Sequence, residues 1–214
     1  MRQLRHLLLS PPSRLARLLL GEKRLSCDLI AAEEAELHLP VFTDLDGVQV
    51  TGLWALVDHL EGVYSENPTV PEEPMARAEA LRILDWTMSV FQEDVTRKVV
   101  YEKASRRFTG AAPRRTPDMN VIRQGRETLS QTLGMIGETS ERIGYLAAKQ
   151  CTIADLAMAA HISALDYFGE IPWLDFPATA EWYVRVKSRP SFRPLLSDRV
   201  PGQPPAQNYA ELDF

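Results

Sequence analysis

The hydrophobic positions follow short-strand spacing in the first third of the chain and helical spacing afterwards. Leu4 to Leu9 is an apolar run halted by Ser10-Pro11-Pro12, which predicts a buried strand entering a tight turn. Ser13 is then positioned to cap a helix carrying Leu15, Ala16, Leu18, Leu19 and Leu20, with Gly21 near its end. Leu25 to Ile30 predicts a second strand, parallel to the first, because a helix supplies the crossover that parallel pairing requires. Leu39 to Asp44 and Val48 to Thr51 flank Asp46-Gly47, a strong hairpin signal, and Leu53 to Leu60 predicts a short helix. Up to about Gly62 the pattern is βαβ followed by ββα.

Pro68, Pro71 and Pro74 interrupt both helix and strand, so residues 63–75 read as a linker. A helical period then runs from Ala76 to about Arg107, through Ala80, Ile83, Leu84, Met88, Phe91 and Val95. A second begins at Asp118 and carries Val121, Ile122, Leu129, Leu133 and Ile136. The stretch from Cys151 to Ile171 is apolar on most of its helical circumference and predicts a central helix around which the others pack. Thr152 and Asp155 form the reciprocal cap at its start, the hydroxyl taking one free backbone N–H and the carboxylate another. Gly169 and Pro172 end it. Helices around Ala178–Ser188 and Phe192–Arg199 follow. The reading is therefore a first domain over 1–62, a linker over 63–75, an all-helical domain over 76–200 and an extended tail over 201–214.

Composition narrows the function classes. With 45% hydrophobic residues in 214 positions the chain has material for a substantial core. The net charge of -5 argues against a general nucleic-acid binder, which needs a concentrated basic face. Cys27 and Cys151 stand far apart, in no metal-ligand or Cys-x-x-Cys spacing, and read as small core residues in a reducing cytoplasm. Arg2 and Arg5 before Leu7-Leu8-Leu9 hint at a secretory signal, but Pro11, Pro12 and Arg14 break the run, and no stretch suffices to span a bilayer. His161 has no second ligand at metal spacing and reads as a core histidine. The four tryptophans, Trp54, Trp86, Trp173 and Trp182, read as packing residues, and Arg106, Arg107, Arg114 and Arg115 as a basic, solvated loop.

The order of these features resembles the cytosolic glutathione S-transferase family over nearly the whole chain. Carrying the likeness are Ser10-Pro11-Pro12-Ser13-Arg14 after the first strand, Pro40 before the third, the hairpin, the Thr152-Ile153-Ala154-Asp155 cap and Ser188-Arg189-Pro190-Ser191-Phe192. The resemblance implies an α/β plus all-α fold: an N-terminal thioredoxin-like βαβ-ββα domain and a C-terminal helical bundle. It also implies a homodimer, with Pro40 as the cis-proline beside the glutathione site. In such enzymes a residue near the first helix steadies the glutathione thiolate, since a hydroxyl donor and the helix dipole both favour the anion. Ser10 and Ser13 are the candidates, against the plainer roles of turn residue and helix cap. Two departures weaken a glutathione site. Thr51-Gly52 stands where the resemblance implies an acid and a serine, and Ala31 to Leu39 holds at most about two helical turns. Ser10, Ser13, Arg14, Pro40, Thr51 and Gly52 are accordingly read as a vestigial site, with no cofactor and no metal.

The tail narrows the resemblance. Pro204-Pro205 precedes Asn208-Tyr209-Ala210-Glu211-Leu212-Asp213-Phe214, an acidic and aromatic terminus on a transferase-like body with a degraded site. That combination resembles a bacterial cell-division branch of the family that binds the tubulin-like GTPase FtsZ. It implies a cytoplasmic, non-catalytic homodimer recruited to the division site, with no nucleic-acid partner and no membrane insertion. Tyr209, Leu212 and Phe214 would be apolar anchors, and Glu211 and Asp213 would set register against basic groups. Three alternatives stay open: a glutathione S-transferase acting on small electrophiles through Ser10 or Ser13, a stable scaffold for some other partner, and a tail folded back over its own groove.

Overall fold

The computed structural model describes residues 1–32, 39–104, 106–110 and 116–211. Four strands, β1 (Gln3–His6), β2 (Asp28–Ala31), β3 (Val41–Thr43) and β4 (Gln49–Thr51), form one sheet in the order β2-β1-β3-β4. β1 pairs parallel with β2 and antiparallel with β3, and the β3–β4 hairpin turns at Gly47, whose φ of 84° suits a residue without Cβ. Helix α1 (Pro11–Glu22) makes the β1–β2 crossover, and α2 (Leu53–Val63) follows the hairpin. The predicted βαβ-ββα order is present, but the first strand is shorter than Leu4 to Leu9 and the second begins later than Leu25. The Ala31 to Leu39 helix falls largely on residues outside the described ones.

Ser13 does not cap α1. The helix starts two residues earlier, with Ser10 in the extended N-cap conformation and Pro11-Pro12 in the first turn, where a missing N–H costs nothing. The linker likewise gives up its last two residues. Glu73 caps α3 (Pro74–Trp86) by accepting from the Met75 and Ala76 N–H groups, and Pro74 opens the helix.

The single helix expected from Ala76 to Arg107 is three pieces. α3 runs without a break into a π-helical stretch, Thr87–Tyr101, and a separate turn, α4 (Arg106–Thr109), follows. The wider i→i+5 turn brings Phe91, Val95 and Val100, all buried, to the inner side. α5 (Met119–Ile143) is capped by Asp118 and packs on this stretch and on α7 (Pro177–Lys187). A short α8 (Arg193–Leu196) precedes the tail.

α6 (Ile153–Tyr167) is the rod predicted at the centre, buried along its whole length. Its capping box is fully formed. Asp155 accepts from the backbone N–H groups of Leu146 and Thr152, at 2.9 Å each, from the Thr152 hydroxyl, and from the Trp182 indole at 3.0 Å. Four donors meet one carboxylate, so Asp155 ties α6 to α7 and to the preceding loop as well as starting the helix.

α1 packs along α6, and its C-terminal end abuts the 3₁₀ turn Pro190–Phe192. The approach is close enough to require glycine, because a Cβ on Gly21 would lie 2.8 Å from Ser191 Cβ and 2.9 Å from its Cα. Gly21→Ala is therefore expected to lower the urea midpoint: displacement of the turn costs about 1–3 kcal/mol, more than the roughly 1 kcal/mol gained in helix propensity. Gly62 in α2 has open space around it. Gly62→Ala should raise the midpoint, and equal effects at the two positions would disprove the close-packing argument.

Candidate functional site

The turn from β1 into α1 places Ser10, Ser13 and Arg14, and each has a structural partner. Ser10 is buried at the helix start beside Tyr101, and its carbonyl accepts the Arg14 N–H at 2.9 Å. Ser13 is wholly buried, and its hydroxyl oxygen accepts the Leu7 N–H at 3.1 Å. Neither hydroxyl is presented to a ligand.

Arg14 turns away from the sheet and into the protein. Its guanidinium is completely buried: Nε donates to Leu8 O at 2.8 Å, and Nη1 to Ser163 Oγ at 2.8 Å and to the Tyr209 hydroxyl at 3.0 Å. Asp198 lies 3.5 Å from Nη2 and is held in a fork by Arg17, at 2.8 and 2.9 Å. Burial disfavours the charge, but Tyr209 and Asp198 outweigh it and hold the Arg14 pKa above the ordinary arginine value. Arg14 thus joins the sheet unit, α6 and the tail, and leaves the vestigial site as a correction to the sequence reading.

On the hairpin side, the Leu39–Pro40 peptide is cis, and Pro40 O accepts the Gly52 N–H at 2.9 Å. Gly52 precedes α2 at φ 87°, so the helix start carries no side-chain cap, and Thr51 beside it is exposed. Among the described residues, Ser10, Ser13 and Arg14 therefore present no donor to a ligand at this place. The two candidate hydroxyls face inward and the candidate arginine is committed elsewhere. These side chains do not fit a bound glutathione thiolate.

The tail has a defined path. A bridge between Val200 and Gln203 starts it, and the Tyr167 hydroxyl donates to Gln203 O while accepting the Val200 N–H. Ala206 N–H then donates to Tyr167 O at 2.8 Å. Tyr209 ends the path only 1% exposed, its hydroxyl donating to Leu195 O and its ring meeting Tyr167 edge-on at 5.0 Å between centroids. Tyr209 is thus corrected from a partner anchor to the fastening of the tail: an aromatic with its hydroxyl satisfied inside the protein has nothing left to offer outside. Glu211 is exposed, while Leu212, Asp213 and Phe214 lie outside the described residues.

Beneath the tail, Lys187 and Asp166 form a buried pair at 3.4 Å. Burial lowers the Lys187 pKa and raises that of Asp166, each partly offset by the other charge. Neither residue was legible as a pair, since no spacing rule links positions on different helices. Arg17 and Asp198 escaped for the same reason.

His161 is a core residue, as read. Its Nδ1 pairs with Thr96 Oγ1 at 2.7 Å, Phe91 meets its ring edge-on, and burial lowers its pKa to about 3. Among the described residues no group of three or more His, Cys, Asp or Glu could hold a metal, and no helix is long and apolar enough to cross a membrane. Cys27 and Cys151 are free, half-buried thiols at the edge of the core. Trp182 is buried, whereas Trp54 is half-exposed, against the packing role expected of it. Of the basic loop, Arg107 is exposed, and Arg114 and Arg115 lie outside the described residues.

No protein-family model matches the chain. It is 38% identical over its whole length to FtsZ-localized protein A of Caulobacter vibrioides, covering 98% of that protein. The structure of FzlA from C. crescentus aligns with a TM-score of 0.93 at 37% identity, covering all of this chain and 99% of that one. A glutathione S-transferase from Rhodospirillum rubrum aligns equally well, at 37% identity over the full length of both chains. A poplar glutathione transferase, at 15% identity and a TM-score of 0.75, shares the fold alone. Built as a glutathione S-transferase fold, the chain belongs to the family of FtsZ-localized protein A.

Proposed function

We propose that this chain is a cytoplasmic cell-division protein that binds FtsZ polymer through its C-terminal tail and needs no glutathione chemistry. The observation that carries the reading is its 38% identity, end to end, with FtsZ-localized protein A. The fastened tail supports it. With Tyr209 bolted to Arg14 and Leu195, the last residues leave from a fixed base beside an exposed Glu211. Glu211 and Asp213 set register against basic groups on the polymer, and Leu212 and Phe214 supply apolar anchorage. A symmetric dimer offers two such tails, so two weak contacts act as one strong one and adjacent filaments are bridged or curved.

The test is co-sedimentation with GTP-assembled FtsZ. Cutting the chain before Tyr209 would confuse loss of contact with loss of the fastening, so the informative truncation ends at Ala210. The intact chain is expected in the pellet, and the Ala210-terminated chain and Asp213→Lys in the supernatant, all three melting alike. Pelleting of both variants would reject the tail as the contact; failure of the intact chain would reject the partner.

A further inference from the structure

At the far end of α1 from Ser10 lies a cavity of about 650 Å³, within the range that small-molecule sites occupy. The end of α1 forms one wall, the loop from Asn67 to Thr69 a second, the Tyr145–Cys151 segment a third and the turn at Arg189–Ser191 the fourth. None of these residues takes part in the tail or in the vestigial glutathione site.

The charges lining the cavity are unbalanced. Glu22 is its one acidic residue, and that carboxylate is used: Arg189 donates to its two oxygens at 2.7 and 2.6 Å, and the Ser191 hydroxyl adds a third bond. Burial raises the Glu22 pKa, but these donors outweigh it and keep the group ionised. Arg189 and Glu22 therefore cancel. Cys151 adds no negative charge, because burial pushes its thiol well above the ordinary range. Arg24 and Lys149 remain at the rim, exposed and without an ion-pair partner among the described residues. Tyr145 adds an aromatic wall, its ring held under the Arg185 guanidinium at 5.2 Å.

We infer that this cavity binds a small organic dianion, a phosphomonoester or a dicarboxylate, with Arg24 and Lys149 meeting its charges and Tyr145 flanking its apolar part. Two cations at the rim of a half-open cleft attract an anion more strongly than they would on a flat surface, because the walls exclude part of the screening water. The neutralised Glu22–Arg189 pair lets the ligand enter without facing an uncompensated carboxylate. Since α1 and the helical part both line the cavity, an occupant would also brace the contact between them.

The test is a chemical-shift titration of the full chain at fixed ionic strength, with phenyl phosphate and succinate as separate probes and benzyl alcohol as the uncharged control. Shifts are expected at the amides of Asn67, Thr69, residues 145–151, Arg189 and Ser191 with one or both anions and not with the alcohol. The double variant Arg24→Glu, Lys149→Glu should weaken binding at least tenfold while keeping the far-ultraviolet spectrum and melting temperature of the parent. Phenyl phosphate without succinate would name the phosphomonoester, and the reverse the dicarboxylate. Absence of both responses, equal binding by the charge-reversed chain, or shifts confined to other residues would overturn the inference. FtsZ co-sedimentation does not depend on the outcome.

Discussion

Arg14→Met is expected to melt about 10 °C below the parent, the equivalent of roughly 3–5 kcal/mol in a chain of this size. The substitution keeps most of the buried volume and removes the charge. It strips the Leu8 carbonyl, the Ser163 hydroxyl and the Tyr209 hydroxyl of a shared donor in a place water does not reach. Asp198 keeps Arg17, so the loss falls on the tail and α6 more than on α8. The tail should accordingly become a protease target between Val200 and Ala210 while the remainder resists. Tyr209→Phe is the gentler partner variant; it removes one hydroxyl and should cost about 1–2 kcal/mol. The two changes together should cost less than their sum, because they delete the same bond. An Arg14→Met chain that melts where the parent does, with its tail equally protected, would show that the bolt contributes nothing.

Acidification should destabilise the protein well above the range where carboxylates titrate. Burial lowers the His6 pKa to about 4, helped by the neighbouring Arg17 and opposed by Asp198, and burial alone lowers that of His161 to about 3. In the unfolded chain both titrate near 6.5. The folded form thus takes up these protons less readily than the unfolded one. Their contribution to stability is present above pH 6.5 and is lost as the pH falls from 6.5 toward 4 for His6 and toward 3 for His161. At pH 4 the two together cost the fold on the order of 6 kcal/mol, or about 15 °C. Melting curves between pH 7.5 and 4 measure the slope directly. His6→Asn with His161→Gln should flatten it, whatever the two substitutions do to stability at neutral pH, and an unchanged slope would point to other groups.

The two experiments bear on the same question, since His6, Arg14, Arg17 and Asp198 are neighbours. Where a glutathione enzyme presents a hydroxyl to its ligand, this chain has a buried serine, a buried arginine and a fastened tail. Residues directed inward in this way make the region a joint between parts of the protein.

How much of this was legible along the chain depends on how local the interaction is. The Thr152–Asp155 cap, the Asp46-Gly47 turn and the rod of α6 each rest on bonds or periods spanning a few residues, so spacing alone specified them. Element ends were less secure: Pro11, Pro12 and Pro74 each begin a helix they were read as preceding, because a proline in a first turn looks, in sequence, the same as one that ends a segment. The α3 helix and its π-helical continuation were read as one rod, since both offer apolar positions three to five apart. The inward course of Ser13 and Arg14 was not visible. A serine or arginine seven or eight residues past a strand carries no mark of which side of a helix faces the core until α6 is laid against it.

Tyr209 shows the division most plainly. Its position among acids and prolines marked the tail as more than a fraying end, and that followed from composition. Whether its ring faced a partner or the protein itself depended on Arg14, Leu195 and Tyr167, which lie up to 195 residues away in the chain. The sequence by itself determined the order of elements, the Thr152–Asp155 cap, the hairpin turn and the apolar rod, because these are set by bonds between near neighbours. Only the tertiary structure decided which polar groups were spent on the interior and which stayed free, because a buried charge is stable only where distant segments bring its partners to it.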